Sequence, residues 1–468
     1  MLPRSTPEAQ GIASGAILQF VEHCEHTIDA LHSVMLLRHG RVVAEGWWAP
    51  YAAHTPHELY SLSKSFASTA IGMAIAESRL SLDDTVTSFF DGGDVPTEPS
   101  DNLKAMRIRD LLSMNSGHQD DTVYRLSAKD GRWCRAFLHF DVEHKPGTHF
   151  VYNSGATYML SAILQKTTGE RLVDYLRPRL FDKLGIKNPT WQQSPEGIDL
   201  GGWGLSVTTE DIARFAQLYL QRGVWNGERI LSEAWVADAS SRQSSNGSNP
   251  HSDWEQGYGY QFWRCRHNSY SGNGAFGQYC IIMPDQDAVL AITSGTGDMQ
   301  AVLDVVWEEL LPAMKDVPLS ADLETEQALN TKLASLQLPP QQGKPSTTVA
   351  QRISGIEYDM GEHEDHRETV SFEFGPETIY RIRKGETDYR IPIGTNTWAL
   401  SDGGAMGRMA ASGAWESEDT YLLKIYYCET PYSSLQRFRF SDNQFVLDEE
   451  FNVSFDQRIQ PQQIGIAR

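Results

Sequence analysis

The chain has 468 residues, 40% hydrophobic and 22% charged, with 38 Gly and 21 Pro; this balance excludes disordered, collagen-like and coiled-coil chains and leaves room for about two or three folding units. The 61 acidic against 40 basic side chains give a net charge of −21, and no basic run offsets it, so neither nucleic acid nor an anionic membrane is an expected partner. Residues 1–8 lack the apolar stretch of a secretion signal, no segment reads as a membrane span, and the five scattered cysteines lack metal or redox spacing, so a cytoplasmic protein with free thiols is expected.

Ile17, Phe20, Val21, Cys24 and Ile28 recur at helical intervals and predict a first helix. Residues 34–37 and 42–44 then flank His39-Gly40 as the arms of a hairpin, whose turn needs positive φ. From about Ser61 to Leu220 the pattern is helical, with Phe66, Ala70 and Met73 on one stripe and Leu160, Ile163 and Leu164 on another. Gly169 and Gly223 sit where helices stop, and residues 208–211 form a capping sequence for a helix through Phe215 and Leu218. Strands are predicted again at 257–263, 278–282 and 288–292, followed by a helix carrying Val302, Val305, Val306 and Leu310. The result is an α+β fold: one antiparallel sheet flanked by helices, an all-helical region beside it, and a cleft at their junction.

Residues 337–349, rich in proline and glutamine, read as a linker. Beyond it Val370, Phe372 and Phe374, then Tyr421, Leu423, Ile425 and Tyr427, then Phe438 and Phe440 alternate with a period of two, which predicts a small antiparallel sandwich or barrel. The expected organisation is a domain over residues 1–336, the linker, and an all-β domain over 350–468. The latter could roof the cleft, mediate a homodimer or stabilise the chain.

Three segments bear on chemistry. In Ser61-Leu62-Ser63-Lys64, at the start of a helical run, the spacing puts hydroxyl and amine on one face, where a desolvated lysine can take the serine's proton and the helix N-terminus can offer N–H groups to an oxyanion. Chance alone supplies roughly one or two Ser-x-x-Lys pairs in a chain of this length, so spacing by itself equally describes two solvated side chains. Tyr152-Asn153-Ser154 precedes the helix through Leu160; the dipole there and Lys64 could stabilise a phenolate on Tyr152, or the tyrosine simply packs while Asn153 or Ser154 caps the helix. The glycine-rich run 270–278 enters a strand, where glycine lets a substrate approach the backbone and an edge N–H can form half an oxyanion hole; a plain turn is the alternative. Trp133, Trp203 and Trp263 are candidates for lining the cleft or for the core. His23-Cys24-Glu25-His26 and the run 362–366 read as solvated rather than metal-binding.

Together, in this order, with Leu111 to Gly117, Gly201 to Leu205 and the final strands, these segments resemble the serine β-lactamase and penicillin-binding-protein superfamily, on its class C and esterase branch, over about residues 5–315. The resemblance implies an acylated Ser61, Lys64 as its base partner, Tyr152 as proton shuttle, and an oxyanion hole from the backbone N–H groups of Ser61 and Ala275, without cofactor or metal. Ser154, Asn273, Gly274 and Trp203 fall at substrate-contacting positions. Two departures stand out: Ser154 replaces the usual Asn of Tyr-x-Asn, and the cleft strand lacks Lys-Thr-Gly, hence a cation to grip a substrate carboxylate. Both make the chain similar to nylon-oligomer hydrolase and carboxylesterase-like members. The implied activity is hydrolysis of an ester or small amide; a D-amino-acid peptidase or amidase, an acyltransferase, a β-lactamase and a non-catalytic binding protein on the same scaffold stay open.

Overall fold

The computed structural model describes residues 2–127, 131–361, 368–402, 404 and 407–468. Its central sheet has six antiparallel strands, β1 (Leu31–Arg38), β2 (Arg41–Trp47), β3 (Trp263–Arg264), β4 (Tyr270–Gly274), β5 (Gln278–Met283) and β6 (Ala288–Ser294), in the order β2-β1-β6-β5-β4-β3. His39 and Gly40, with φ of 50° and 70°, make the β1–β2 turn, the double left-handed conformation that suits the twist of a two-residue hairpin. Both faces of the sheet are covered. Val34, Leu36, Tyr279 and Ile281 enter one core with α1 (Ser14–Thr27), while Met35, Leu37, Cys280 and Ile282 enter the other with α2 (Ser63–Ala76), α3 (Ser154–Thr168) and α4 (Thr209–Leu220). The strands therefore read as unbroken apolar runs rather than alternating ones. The closing helix α5 (Met299–Val305) continues into a π-turn, Val306–Leu310, and packs on the α1 side.

Gly169 ends α3 at φ 77°, and Thr208 and Asp211 form a reciprocal capping box at α4. One predicted strand changes character. Residues 257–263 do not run extended, because Gly257 and Gln261 take φ of 111° and 65°. The Gln261 amide instead donates to Leu111 O and Leu112 O and accepts from Thr157 Oγ1 at 2.8 Å, clamping this segment to the helical region. The glycine-rich run expected to lead into a strand is itself one: Tyr270–Gly274 forms β4, and Ala275 to Gly277 turn into β5.

The C-terminal region is a ten-stranded antiparallel sheet, β7 (Glu357–Asp359), β8 (Thr369–Glu373), β9 (Thr378–Lys384), β10 (Thr387–Ile393), β11 (Ala399–Ser401), β12 (Met409–Trp415), β13 (Thr420–Tyr427), β14 (Ser433–Ser441), β15 (Gln444–Phe451) and β16 (Gln463–Ala467), in the order β10-β9-β8-β7-β16-β15-β14-β13-β12-β11. It curls until Gly394, just past β10, bridges Ser412 of β12, so the architecture is a near-closed barrel filled by Phe372, Tyr380, Trp415, Tyr421, Phe438 and Phe445. The segment before it is strapped at both ends: Leu338 N–H donates to Ala49 O at 2.8 Å, and Lys344 and Trp415 exchange backbone hydrogen bonds. Trp398, Ala410, Tyr426 and Cys428 of the barrel share one core with Trp48, Tyr51, Leu336 and Leu338. Among the described residues, no helix is long and apolar enough to cross a membrane, and all five cysteines are buried and unpaired.

Candidate active site

The polypeptide reaches α2 through a 3-10 turn, Tyr60–Leu62, so Ser61 and Lys64 lie one turn apart where backbone N–H groups are still unpaired. Lys64 is 1% exposed. Its Nζ donates to Ser61 Oγ at 2.9 Å, Ser154 Oγ at 3.1 Å and Gly202 O at 2.7 Å, so three acceptors take the three protons of an ammonium. Burial pulls the Lys64 ammonium down to about 7, while the Asp121 carboxylate works in the opposite sense.

Tyr152 hydrogen-bonds Ser61 through its hydroxyl. Its ring stacks on Trp263 with centroids 5.3 Å apart and lies 4.8 Å from Lys64 Nζ. The phenolate considered from the sequence is not what this setting favours: burial drives the Tyr152 phenol above its ordinary range, because the anion would lose its hydration. Lys64 and Tyr152 are thus pushed toward their neutral forms together.

Asn153 caps α3, and its Oδ1 also accepts from Thr122 N and Thr122 Oγ1. This ties the α3 entrance to the loop carrying Asp121, whose Oδ1 accepts from Ser154 N at 2.9 Å. Across the cleft, Gly274 and Ala275 form the opposite wall. The glycines of β4 also make room for a neighbouring segment: a Cβ on Gly274 would overlap the Leu59 carbonyl oxygen, and one on Gly272 would crowd Leu62 and Ser65. They let the strand press directly against the turn that carries Ser61. Gly274→Ala is therefore expected to pry the two apart and lower kcat by about 100-fold, the scale of a misplacement of about 1 Å, with a lower Tm in the same preparation; steady-state rates and thermal melts check both.

The cavity between these walls holds about 590 Å³ and is lined by Trp133, Trp203, Trp254 and Trp263 along with Ser61, Tyr152 and Ser154. Trp203 stacks on Trp133 at 6.3 Å. Asn273 also borders it, although its amide is buried without a hydrogen-bond partner among the described residues. The sequence-level reading overlooked Asp121, the Gly202 carbonyl, Tyr60, Trp254, and Phe455 with Asp456, which reach the cavity from the barrel. Of these, Tyr60 and Gly202 lay in segments already singled out, 60–66 and 201–205, without being picked as site residues. The remaining candidates fall elsewhere: Cys24 is in the core, His23 pairs with Glu309 at 2.9 Å, and His26 bonds its own helix at Glu22 O. The run 362–366 lies outside the described residues.

The chain is similar to known proteins in sequence and in fold. The chain is 28% identical over 284 residues to the 6-aminohexanoate-dimer hydrolase of Paenarthrobacter ureafaciens, covering 56% of this chain and 72% of that protein. Among solved structures, EstCE1, a hydrolase with promiscuous acyltransferase activity, superposes with a TM-score of 0.53 at 19% identity over 63% of this chain and 98% of its own. The octameric penicillin-binding protein homologue from Pyrococcus abyssi does so at 0.52 and 16% identity over 96% and 99%, so its fold match extends through the barrel. The Beta-lactamase family model matches residues 26–307, the stretch that contains Ser61, Lys64, Tyr152, Gly202 and Gly274, and the chain belongs to that family.

Proposed function

We propose that this protein is a serine hydrolase that cleaves an ester or small amide through an acyl-enzyme on Ser61. The observation that carries the reading is the buried Lys64 amine, 2.9 Å from Ser61 Oγ, whose ammonium burial pulls down to about 7. Neutral Lys64 takes the Ser61 proton as Oγ attacks the carbonyl carbon, and the oxyanion is received by the backbone N–H groups of Ser61 and Ala275. Collapse of the tetrahedral species expels the alcohol or amine, which takes its proton from the Lys64 and Tyr152 pair. Water then attacks the ester carbonyl of the acylated Ser61; the same pair accepts its proton and returns one to Ser61 Oγ as the acid leaves. Residues 1–336 form the hydrolase domain in this reading, 337–349 join it to the barrel of 350–468, and the buried free thiols suit a reducing compartment such as the cytoplasm.

The resemblance to an amide hydrolase and to EstCE1 supports an acyl substrate without choosing between ester and amide. Treatment with a fluorophosphonate probe tests the reading: one adduct should form, on Ser61, and none on Ser61→Ala, whereas an unlabelled wild-type chain would mean a non-catalytic scaffold.

Charge in the cleft narrows the substrate further. The lining includes Asp121 and Asp456 and, among the described residues, no arginine, histidine or lysine. A substrate carboxylate would meet like charge in a partly dry cavity. A neutral p-nitrophenyl alkanoate is therefore expected to exceed its carboxylate-bearing counterpart, the p-nitrophenyl hemisuccinate, by about tenfold in kcat/KM, equivalent to about 1.4 kcal/mol. A preference for the hemisuccinate would reverse this assignment.

A further inference from the structure

Two residues with large side chains hold backbone conformations normally left to glycine, and they flank the two proposed oxyanion donors. Tyr60, immediately before Ser61, has φ 48°, and Phe276, immediately after Ala275, has φ 65°. Bulky residues are sterically disfavoured there and persist only where the surroundings hold them. Their rings meet edge to face with centroids 5.8 Å apart.

What holds them comes largely from the other end of the chain. The barrel lays Tyr432 and Phe455 on the pair, with centroids 5.7 Å and 4.7 Å from Phe276. The Tyr60 hydroxyl donates to the Tyr432 hydroxyl at 3.0 Å, and Glu58 N–H donates to Glu429 O at 2.8 Å. This barrel segment is itself fixed to the central sheet, since Asn452 Nδ2 donates to both Gly295 O and Pro431 O. The turn after β4 is also gripped from below, Gln278 Nε2 donating to Ala275 O at 3.0 Å and Ser294 Oγ to Phe276 O at 2.9 Å.

We propose that Tyr432 is a positioning residue for the oxyanion hole. The Ser61 N–H lies in the peptide plane that the Tyr60 dihedrals orient, and the Ala275 N–H belongs to the turn that Phe276 completes. By bracing both rings, Tyr432 sets the separation and aim of the two donors. This rests on the serine-hydrolase reading and adds to it that the hole is complete only with the barrel docked. Tyr432 does not border the cavity, unlike Phe455, so its effect reaches the reaction through Tyr60 and Phe276 rather than through substrate contact.

The test compares full-length wild type, Tyr432→Phe and Tyr432→Ala on p-nitrophenyl butyrate and with phenylboronic acid, whose tetrahedral adduct on Ser61 places an oxygen in the hole. Tyr432→Ala is expected to lower kcat by about 10- to 100-fold with KM within about twofold, and to weaken the boronate in proportion, since partial misaim costs less than losing a donor outright. Tyr432→Phe keeps the packing and should lose about two- to fivefold in both readouts, which carries the test if the alanine variant does not fold. Unchanged kcat and boronate affinity in the folded variants, or a rise in KM alone, overturns the proposal. A wild-type chain that takes no fluorophosphonate on Ser61 refutes the hydrolase reading and this inference with it; a labelled, active wild type with an indifferent position 432 refutes the positioning role alone.

Discussion

Lys64→Met is expected to lower kcat for a p-nitrophenyl ester by about 10³- to 10⁵-fold, close to the loss from Ser61→Ala, and the double variant should be no worse than either single one. Groups that act as one unit fail together, so their losses do not add. The physical reason is that in the proposed mechanism Ser61 Oγ gives its proton to Lys64 Nζ, 2.9 Å away, while burial raises the Tyr152 phenol and so disfavours a phenolate base. Lys64→Arg should rescue nothing: a guanidinium preserves the charge but does not give up its proton in the working pH range. The Met side chain also leaves Gly202 O without its 2.7 Å donor, and one such buried carbonyl costs about 1–3 kcal/mol. Melting curves therefore accompany the rates, and a folded Lys64→Met that turns over substrate normally contradicts the assignment.

The second large effect is on pH dependence and on Tyr152. In the proposed mechanism attack on the carbonyl needs neutral Lys64, and burial brings that ammonium down to about 7. Below that pH the reactive fraction falls tenfold per unit, so kcat/KM should climb through about pH 7 and level off above it. An ordinary lysine would place the limb more than three units higher. Asp121→Asn removes the carboxylate that stabilises the ammonium, so the limb should move to lower pH, while the remaining amide oxygen can still accept from Ser154 N. Tyr152→Phe should cost about 10²- to 10⁴-fold in kcat, the range for a general acid or base, yet keep the same low-pH limb because that limb belongs to Lys64. A limb lost with the phenol would assign it to Tyr152 instead.

Periodicity and glycine placement carried most of the fold. Ile17, Phe20, Val21 and Cys24 fall on α1, with Ile28 just past its end, and the cap at Thr208 opens α4 as read, because each depends on neighbours within one or two turns. The segment 257–263 misled because its aromatics look extended while Gln261 spends its backbone and amide on Leu111, Leu112 and Thr157, partners about 100 to 150 residues away that no local pattern reveals. The site divides the same way. Ser61 and Lys64 were legible as a pair within one turn, and Tyr152 by its place before the helix together with the family resemblance. Asp121, Phe455 and Asp456 were not, since each sits in an irregular loop whose place beside the cavity is set by docking. Gly274 was noticed for letting a substrate approach; it does border the cavity, and its missing side chain in addition makes room for Leu59, which no local pattern reveals.

The apolar contact between Trp398, Tyr426 and Cys428 on one side and Trp48 and Tyr51 on the other has a consequence for how the molecule comes apart. Parting the two halves would wet those rings, and strip the Leu338 carbonyl of the Trp398 indole, before either half had lost its own interior. Heating should accordingly register a single cooperative endotherm rather than two. A chain shortened ahead of the barrel would carry a greasy scar where Tyr426 had been, and it should aggregate rather than persist as a minimal enzyme.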